Sequence, residues 1–534
     1  MANYVDRSWW RKHRLKVLAV VCVVALVAGV TAYVQWQSER AKSQAELAKW
    51  HAEHCAEGIA RVEGGECIGM TDGSFSFDPE LAGVLGKIKA ENDRVLAESN
   101  GNYVSIAYLA PMTLTGLDTI TRESTRNALQ GAYVSQLRAN RTADWDGGTP
   151  MVRLFPANPG SRFGQWRPVV AQIEQARNGP DRVVAVTGLG QSHEGTKQAI
   201  DRLAALGIPM VGATITADVF TEQEKAGEFS GLLRVAPSNT EQVQAVVRRL
   251  AGSRRAMLVQ DENQSDLLAS NLAAAFNEVY PASTGGELLR AETYNSKLDD
   301  ATGTGLGSNA NAFAPMVRNI CVAQPDVLFF SGRYRDLKGL LEALGKRWCP
   351  QLEIRVLTLD SVVDIAGVEE IRGALSPKTT LEYTHLSSPA AWRANPQAFD
   401  PNVVGYFRET YSREFPDNSA GDGMAATSFD AVGVAVTAIR RAGGTSRDVS
   451  LVTPESVTSQ FHRMHGVEEV AGASGWLSFD CVGHPEDKAV SVFTLTPGKV
   501  PPTSEILPEV VSASGDIRTP DSGFDAFRPT QRCR

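Results

Sequence analysis

The sequence predicts an α/β fold of two lobes, each built on a parallel sheet, preceded by one transmembrane helix and a helical stalk. Three observations carry that reading. Strand-like and helix-like segments alternate from residue 102 and fall into two groups, over about 102–235 and about 236–375. The strands are apolar and β-branched along their length, as in parallel sheets buried on both faces. Near the N-terminus, residues 15–34 carry one charge, Lys16, at their edge. A run of about 20 residues spans a hydrocarbon core of about 30 Å.

The flanks of that run set its expected orientation. Residues 1–16 carry Arg7, Arg11, Lys12, Arg14 and Lys16 against Asp6 alone, with Trp9 and Trp10 suited to one interface and Tyr33 and Trp36 to the other. By the positive-inside rule, residues 1–14 are cytoplasmic, 15–36 span the membrane and the rest is exported. A cleaved signal peptide is the alternative, since Val30-Thr31-Ala32 is a passable cleavage site. The apolar run, however, exceeds the usual signal-peptide core of about 7–15 residues. The sequence has no second run of this length, which excludes a channel or polytopic transporter.

Residues 37–101 are expected to form a stalk and a small cysteine-containing module. The stretch 35–57 is rich in Ala, Glu, Lys and Gln, and helical periodicity returns at 81–99. Cys22 lies within the apolar run, and six cysteines follow: Cys55, Cys67, Cys321, Cys349, Cys481 and Cys533. An even number in an exported chain suggests disulfides. Local spacing favours Cys55–Cys67 and Cys321–Cys349, leaving Cys481–Cys533. Zinc ligation and buried free thiols are the alternatives, but no CxxC or CxxH spacing occurs.

In the first group, strands are expected at 103–112, 151–157, 182–190, 208–214 and 232–238, with helices at 122–141, 166–178 and 195–207. In the second, strands at 255–261, 325–332 and 354–360 alternate with helices at 240–252, 265–280 and 337–347. This alternation means βαβ units. A third, mostly helical group covers 403–444. Segments 476–480 and 489–495 read as a hairpin-like pair, 302–312 as a flexible insertion, and 500–534 as an exposed tail.

Composition narrows the function. With 43% hydrophobic and 21% charged residues the chain is globular. Its 53 basic residues against 61 acidic ones leave −8, which argues against a nucleic-acid partner. The segment GQSHEGTK (190–197) has P-loop glycine spacing, but Thr196-Lys197 reverses the order a phosphate site needs. Gly188 and Gly190 begin a dinucleotide fingerprint that fails at His193. Ser192 beside His193 lacks a nucleophile elbow. No HExxH occurs, so neither a catalytic metal nor a cofactor is expected, and the chain reads as a non-enzyme. What remains is a Ser/Thr-rich turn at a helix N-terminus, whose free N–H groups and hydroxyls suit a carboxylate or another anion. Ser192, Thr214 and Thr216 follow successive strands and project from one sheet edge.

The order of segments resembles the type I periplasmic binding proteins, specifically the branched-chain amino-acid (leucine)-binding group, here in a membrane-anchored form. The resemblance runs from about Val104 to Leu495. It is carried by VSIAYLAPMT, RNALQGAYVSQLRAN, VVAVTGLGQSHEGTKQAIDRLAALGIPMVGATITA, LLRVAPSNTEQ, PDVLFFSGRYRDLKGLLEAL, GMAATSFDAVGVAVTAIRRAG and GASGWLSFDCVGH. It implies two lobes closing over a ligand in the cleft, with lobe 1 at 102–235 plus 385–499 and lobe 2 at 236–384.

Matched residue by residue, Ser192 takes the place of the carboxylate-holding serine. Thr214 and Thr216 take flanking contacts, and Arg333 and Tyr334 a ligand-facing loop of the second lobe. Asp360 ends the next strand at the same rim. Two departures stand out: Ser265-Asp266 replaces a frequent Tyr-Gly, and Arg372 falls where an acidic ammonium partner is common. Asp360 is a substitute for that acid. The resemblance implies an extracytoplasmic solute-binding protein that hands an amino acid or related polar ligand to an ABC-type permease. The alternative is a sensor or protein-interaction receptor with a membrane partner.

Overall fold

The computed structural model describes residues 7–115, 118–221, 229, 231–250, 252–296, 309–359, 369–498 and 506–519. The chain divides into two units, Met1–Cys67 and Ile68–Arg534.

In the first unit, α1 (Arg7–Glu53) is continuous over 47 residues, so the apolar run and the Ala/Glu/Lys-rich stalk form one helix. Among the described residues it is the one helix long and apolar enough to cross a membrane. Its apolar side chains, from Leu15 to Val34, are exposed. Two short strands follow, β1 (His54–Ala56) and β2 (Ile59–Arg61), paired antiparallel. Cys55 is bonded to Cys67 across this hairpin.

The second unit holds two sheets. Strands β3 (Cys67–Met70), β4 (Tyr103–Leu109), β5 (Met151–Asn158), β6 (Val183–Gly188), β7 (Met210–Gly212) and β8 (Leu232–Arg234) run in the order β3-β5-β4-β6-β7-β8. All pairs from β5 to β8 are parallel, while β3 is antiparallel to β5. Helices α2 (Ala82–Glu98), α3 (Arg122–Arg141), α4 (Trp166–Asn178) and α5 (Glu194–Ala205) flank these strands. Every residue of β5 and β6 is buried, which is why neither alternates between apolar and exposed polar positions, although β5 also buries Arg153 and Asn158.

After β8 the chain crosses to the second sheet through α6 (Asn239–Val247), opened by a capping box between Ser238 and Glu241. The sheet contains β9 (Arg255–Asp261), β10 (Glu287–Leu288), β11 (Glu292–Tyr294), β12 (Val327–Ser331), β13 (Ile354–Thr358) and β14 (Thr379–His385). Interleaved with them are α7 (Leu267–Thr284), α8 (Asn309–Ala323), α9 (Tyr334–Gly345) and α10 (Glu369–Ala374). A disulfide, Cys321–Cys349, joins the end of α8 to the segment before β13.

The chain then returns to the first lobe. It forms α11 (Pro389–Ala394), α12 (Pro401–Glu414), α13 (Met424–Ala442), α14 (Pro454–Phe461) and the small hairpin β15 (Val470–Gly472)–β16 (Gly475–Leu477). Helix α13 is buried along nearly its whole length and packs on α3. The two approach so closely that a Cβ on Gly131 would lie 1.9 Å from the Ala425 carbonyl oxygen. A final crossing leads to β17 (Val490–Leu495) and β18 (Glu509–Val511). Buried Lys488 anchors it, its Nζ donating to the carbonyl and hydroxyl oxygens of Ser474 at 2.7 Å each, while Asp430 of α13 accepts from the Ala473 and Ser474 amides. Burial pushes the Lys488 ammonium down to about 8.

Strands β3, β10, β11 and β14 lie where the sequence reading expected none, and three further segments differ from it. The 489–495 strand does not pair with 476–480 and does not complete the first lobe. It runs antiparallel to β14 in a second sheet ordered β10-β9-β12-β13-β14-β17-β18. Part of the expected tail, residues 509–511, pairs with that strand. Within the expected stalk module 37–101, α2 packs on β5 and α3 as a first-lobe helix. Each case is decided by a long-range partner that local periodicity does not encode.

Candidate functional site

In each lobe one strand lies between two parallel strands that follow it in the chain: β4 between β5 and β6, and β9 between β10, with β11 also paired to it, and β12. Loops on either side of that strand diverge, leaving a crevice beyond its carboxyl end. A cavity of about 180 Å³ occupies this position, walled by both lobes. Thr119 follows β4, Arg162 follows β5, and His193, Glu194 and Gly195 follow β6. From the other lobe, Asn263, Ser265 and Asp266 follow β9, Ser296 follows β11 and Arg333 follows β12. His193 and Asp266 form an isolated antiparallel bridge, so the two walls meet.

The first-lobe wall is made of uncapped and partly unsatisfied groups. His193 is the N-cap of α5 but gives it no side-chain hydrogen bond, which leaves first-turn amides open to a ligand or water. The imidazole is 8% exposed, and its Nε2 has no hydrogen-bond partner among the described residues. Burial, reinforced by the nearby Arg333 charge, pulls its pKa down to about 4, so the ring is neutral at pH 7. Gln191 accepts from the Thr119 hydroxyl at 3.2 Å, while its own Nε2 is unpartnered among the described residues. Gly195 lies under the 162–163 turn, where a Cβ would come within 2.8 Å of the Phe163 carbonyl oxygen.

The second-lobe wall is internally satisfied. Arg333 donates to both carboxylate oxygens of Asp266, from Nε at 2.7 Å and Nη2 at 2.9 Å, with both residues buried. Asp266 also caps α7, accepting from the Leu268 and Ala269 amides. Burial opposes its ionisation, but Arg333 outweighs it and holds the carboxyl below its ordinary value. Asp261 accepts from the Asn263 and Ser296 amides and the Ser296 hydroxyl, and Asn263 Nδ2 donates to Ser296 at 3.1 Å.

The residues expected from sequence lie in this region but not all on the cavity. Arg333 lines it. Ser192 sits behind it, buried, its hydroxyl accepting from the Thr216 amide at 3.2 Å and the Ala217 amide at 3.3 Å. Thr214 donates to the Gly190 carbonyl oxygen. These residues tie the loops after β6 and β7 together. Tyr334 opens α9 and packs against the second-lobe core. Asp360 lies outside the described residues. Arg372 falls within α10, and its side chain is likewise outside them. Cys481 is disulfide-bonded, and Cys533, its expected partner, is outside as well. Of the lining residues, sequence reasoning chose Arg333 alone as a ligand contact and missed the rest, Thr119, Arg162, His193, Asn263, Asp266 and Ser296 among them. The one signal for them was position, just past the carboxyl ends of strands.

No protein-family model matches the sequence, and no curated protein matches it. Solved structures do. The chain is similar to a leucine-binding protein LivK from Thermotoga maritima, at 19% identity and a TM-score of 0.55, covering 78% of this chain and 99% of that one. It is similar to the branched-chain amino acid transporter substrate-binding protein LivJ from Streptococcus pneumoniae, solved with isoleucine, at 16% identity and a TM-score of 0.54, covering 77% and 99%. A solute-binding protein of an ABC transporter from R. palustris, solved with benzoate, matches at 13% identity and a TM-score of 0.51, covering 77% and 98%. The fold of residues 68–519 is accordingly the two-lobed type I periplasmic-binding-protein fold.

Proposed function

We propose that this chain is a membrane-anchored extracytoplasmic solute-binding protein that captures a small polar ligand between its lobes for an ABC-type transporter. One observation carries the reading: the interlobe cavity, lined from the carboxyl ends of parallel strands in both lobes, with a buried, unpartnered His193 nitrogen on its wall. A buried polar atom without a partner is costly unless a ligand or water completes it. The solved neighbours are named as transporter binding proteins for amino acids or aromatic acids, which supports the same reading. The basic flank and apolar length of α1 support anchoring with residues 1–14 in the cytoplasm. In this reading Arg333 stands on the wall that faces the ligand, and Ser192, Thr214 and Thr216 hold the loops behind the opposite wall.

A thermal-shift screen of the full chain in detergent, against amino acids, organic acids, amides and short peptides, tests the proposal. A ligand at 100 times its Kd stabilises by about 2.7 kcal/mol. Ser265→Trp, at an exposed position on the cavity, is expected to abolish that shift while leaving the unliganded melting temperature unchanged. A shift that survives Ser265→Trp places binding elsewhere.

A further inference from the structure

We infer that the cleft selects small carboxylic acids lacking an α-ammonium group, and discriminates against the corresponding free amino acids. This rests on the reading of the cleft as a ligand site and concerns which ligand it takes.

The donors are on the first lobe. The uncapped first turn of α5 presents amides at Glu194 and Gly195, and that end of the helix carries the positive pole of its dipole. Gly195 itself lines the cavity, and its missing Cβ lets the 162–163 turn pack close beside it, which brings Arg162 to the same wall. His193, more than nine-tenths buried on the same wall, has an unpartnered Nε2, and Arg162 lines the cavity beside them. Together these groups suit one anionic head.

Among the described residues, which do not include Asp360, an ammonium group has no comparable receptor. Asp266 is the buried carboxylate on the cavity, and both of its oxygens are taken by Arg333, with two α7 amides besides. Glu194 is exposed, and its carboxylate accepts from Gln198 one turn along α5. Among the described residues no other carboxylate lines the cavity. Closing the lobes over an ammonium would strip its water and return no counter-charge, a larger penalty than any one hydrogen bond recovers.

Matched probes test this on the full chain in detergent by isothermal titration: 4-methylpentanoate, its amide, and leucine; then 3-phenylpropanoate, its amide, and phenylalanine. The acid is expected to bind at least tenfold more tightly than either relative in each set. His193→Leu, which keeps the bulk and removes the ring nitrogens, is expected to weaken the acid about tenfold. An amino acid that binds as tightly as its deaminated acid overturns the inference and leaves the solute-binding reading standing. An amide that binds as tightly as the acid overturns it too. Binding of none of the six also overturns it, and the broad screen with its Ser265→Trp control decides separately whether the cleft binds any solute.

Discussion

The two walls of the cleft solve the same local problem in opposite ways. Each sits where loops diverge beyond the carboxyl end of a sheet, and each places a helix N-terminus at the opening. In the second lobe Asp266 caps α7 and Arg333 neutralises Asp266, so the wall is complete without a ligand. In the first lobe α5 is uncapped and His193 and Gln191 keep unpartnered nitrogens among the described residues. Unsatisfied groups on one wall are available to a ligand or water, while the satisfied charges of the other shape the cavity. In the proposed reading, this division gives binding to the first lobe and exclusion to the second.

Breaking the ion pair is the largest perturbation available. Asp266→Ala leaves the Arg333 guanidinium buried without its counter-charge and removes the α7 cap. It is expected to cost about 3–5 kcal/mol in chemical denaturation of the full chain. Replacing both partners, Asp266→Leu with Arg333→Met, is expected to cost much less. An equal loss in the double variant would mean that the pair acts through its shape and not its charge.

Acid sharpens the contrast next. His193, lowered to about 4 mainly by burial and then by Arg333, is neutral in the folded protein, while the unfolded histidine takes a proton below about 6.5. The unfolded state therefore binds more protons between those values. Stability is expected to fall as the pH drops from about 6.5 to about 4, by up to about 3 kcal/mol. Arg162, Asp118, Asp266 and Arg333 all act on this ring. Glu241, pushed up to about 7 by burial, has the opposite slope between 4.5 and that value. The measurement is therefore the difference in denaturation profile between the parent and His193→Gln. Parallel profiles would show that the ring is not held neutral.

The smallest effect concerns the loops behind the first-lobe wall. Ser192→Ala removes the acceptor shared by the buried Thr216 and Ala217 amides, an expected loss of about 1–3 kcal/mol. If the hydroxyl only ties these loops, ligand affinity should fall less than tenfold. Complete loss of binding at unchanged stability would instead make Ser192 a direct ligand contact.

The central strands of both sheets were legible because burial on two faces demands apolar runs such as VVAVTG and VLFFS, whereas β14, with Thr379, Thr380, Glu382 and Thr384, gave no such run. The loop at 190–193 was legible because a strand running into a Gly- and Ser-rich turn before a helix marks the carboxyl edge of a sheet. The ion pair was not, because Asp266 and Arg333 stand 67 residues apart. Ser265-Asp266 showed itself only as a departure from the resembling family. The strand at 490–495 was misplaced for a similar reason, since its β14 partner lies more than 100 residues earlier. The helix α2, read as part of the stalk module, has the amphipathic face of a packed helix, and periodicity does not say against which sheet.

By itself the sequence determined the long apolar run of α1, the βαβ alternation, the pairing of the two local disulfides Cys55–Cys67 and Cys321–Cys349, and the sheet edge that carries the candidate site. Those properties follow from apolar period, chain length and turn chemistry, which act over a few residues. The tertiary structure decided which groups on that edge remain unsatisfied. Ser192 is engaged by backbone amides, Asp266 by Arg333, and His193 and Gln191 keep nitrogens without a protein partner among the described residues. A hydrogen-bonding group shows its chemistry in sequence, but whether a neighbour already satisfies it depends on contacts that exist only once the lobes are folded and packed.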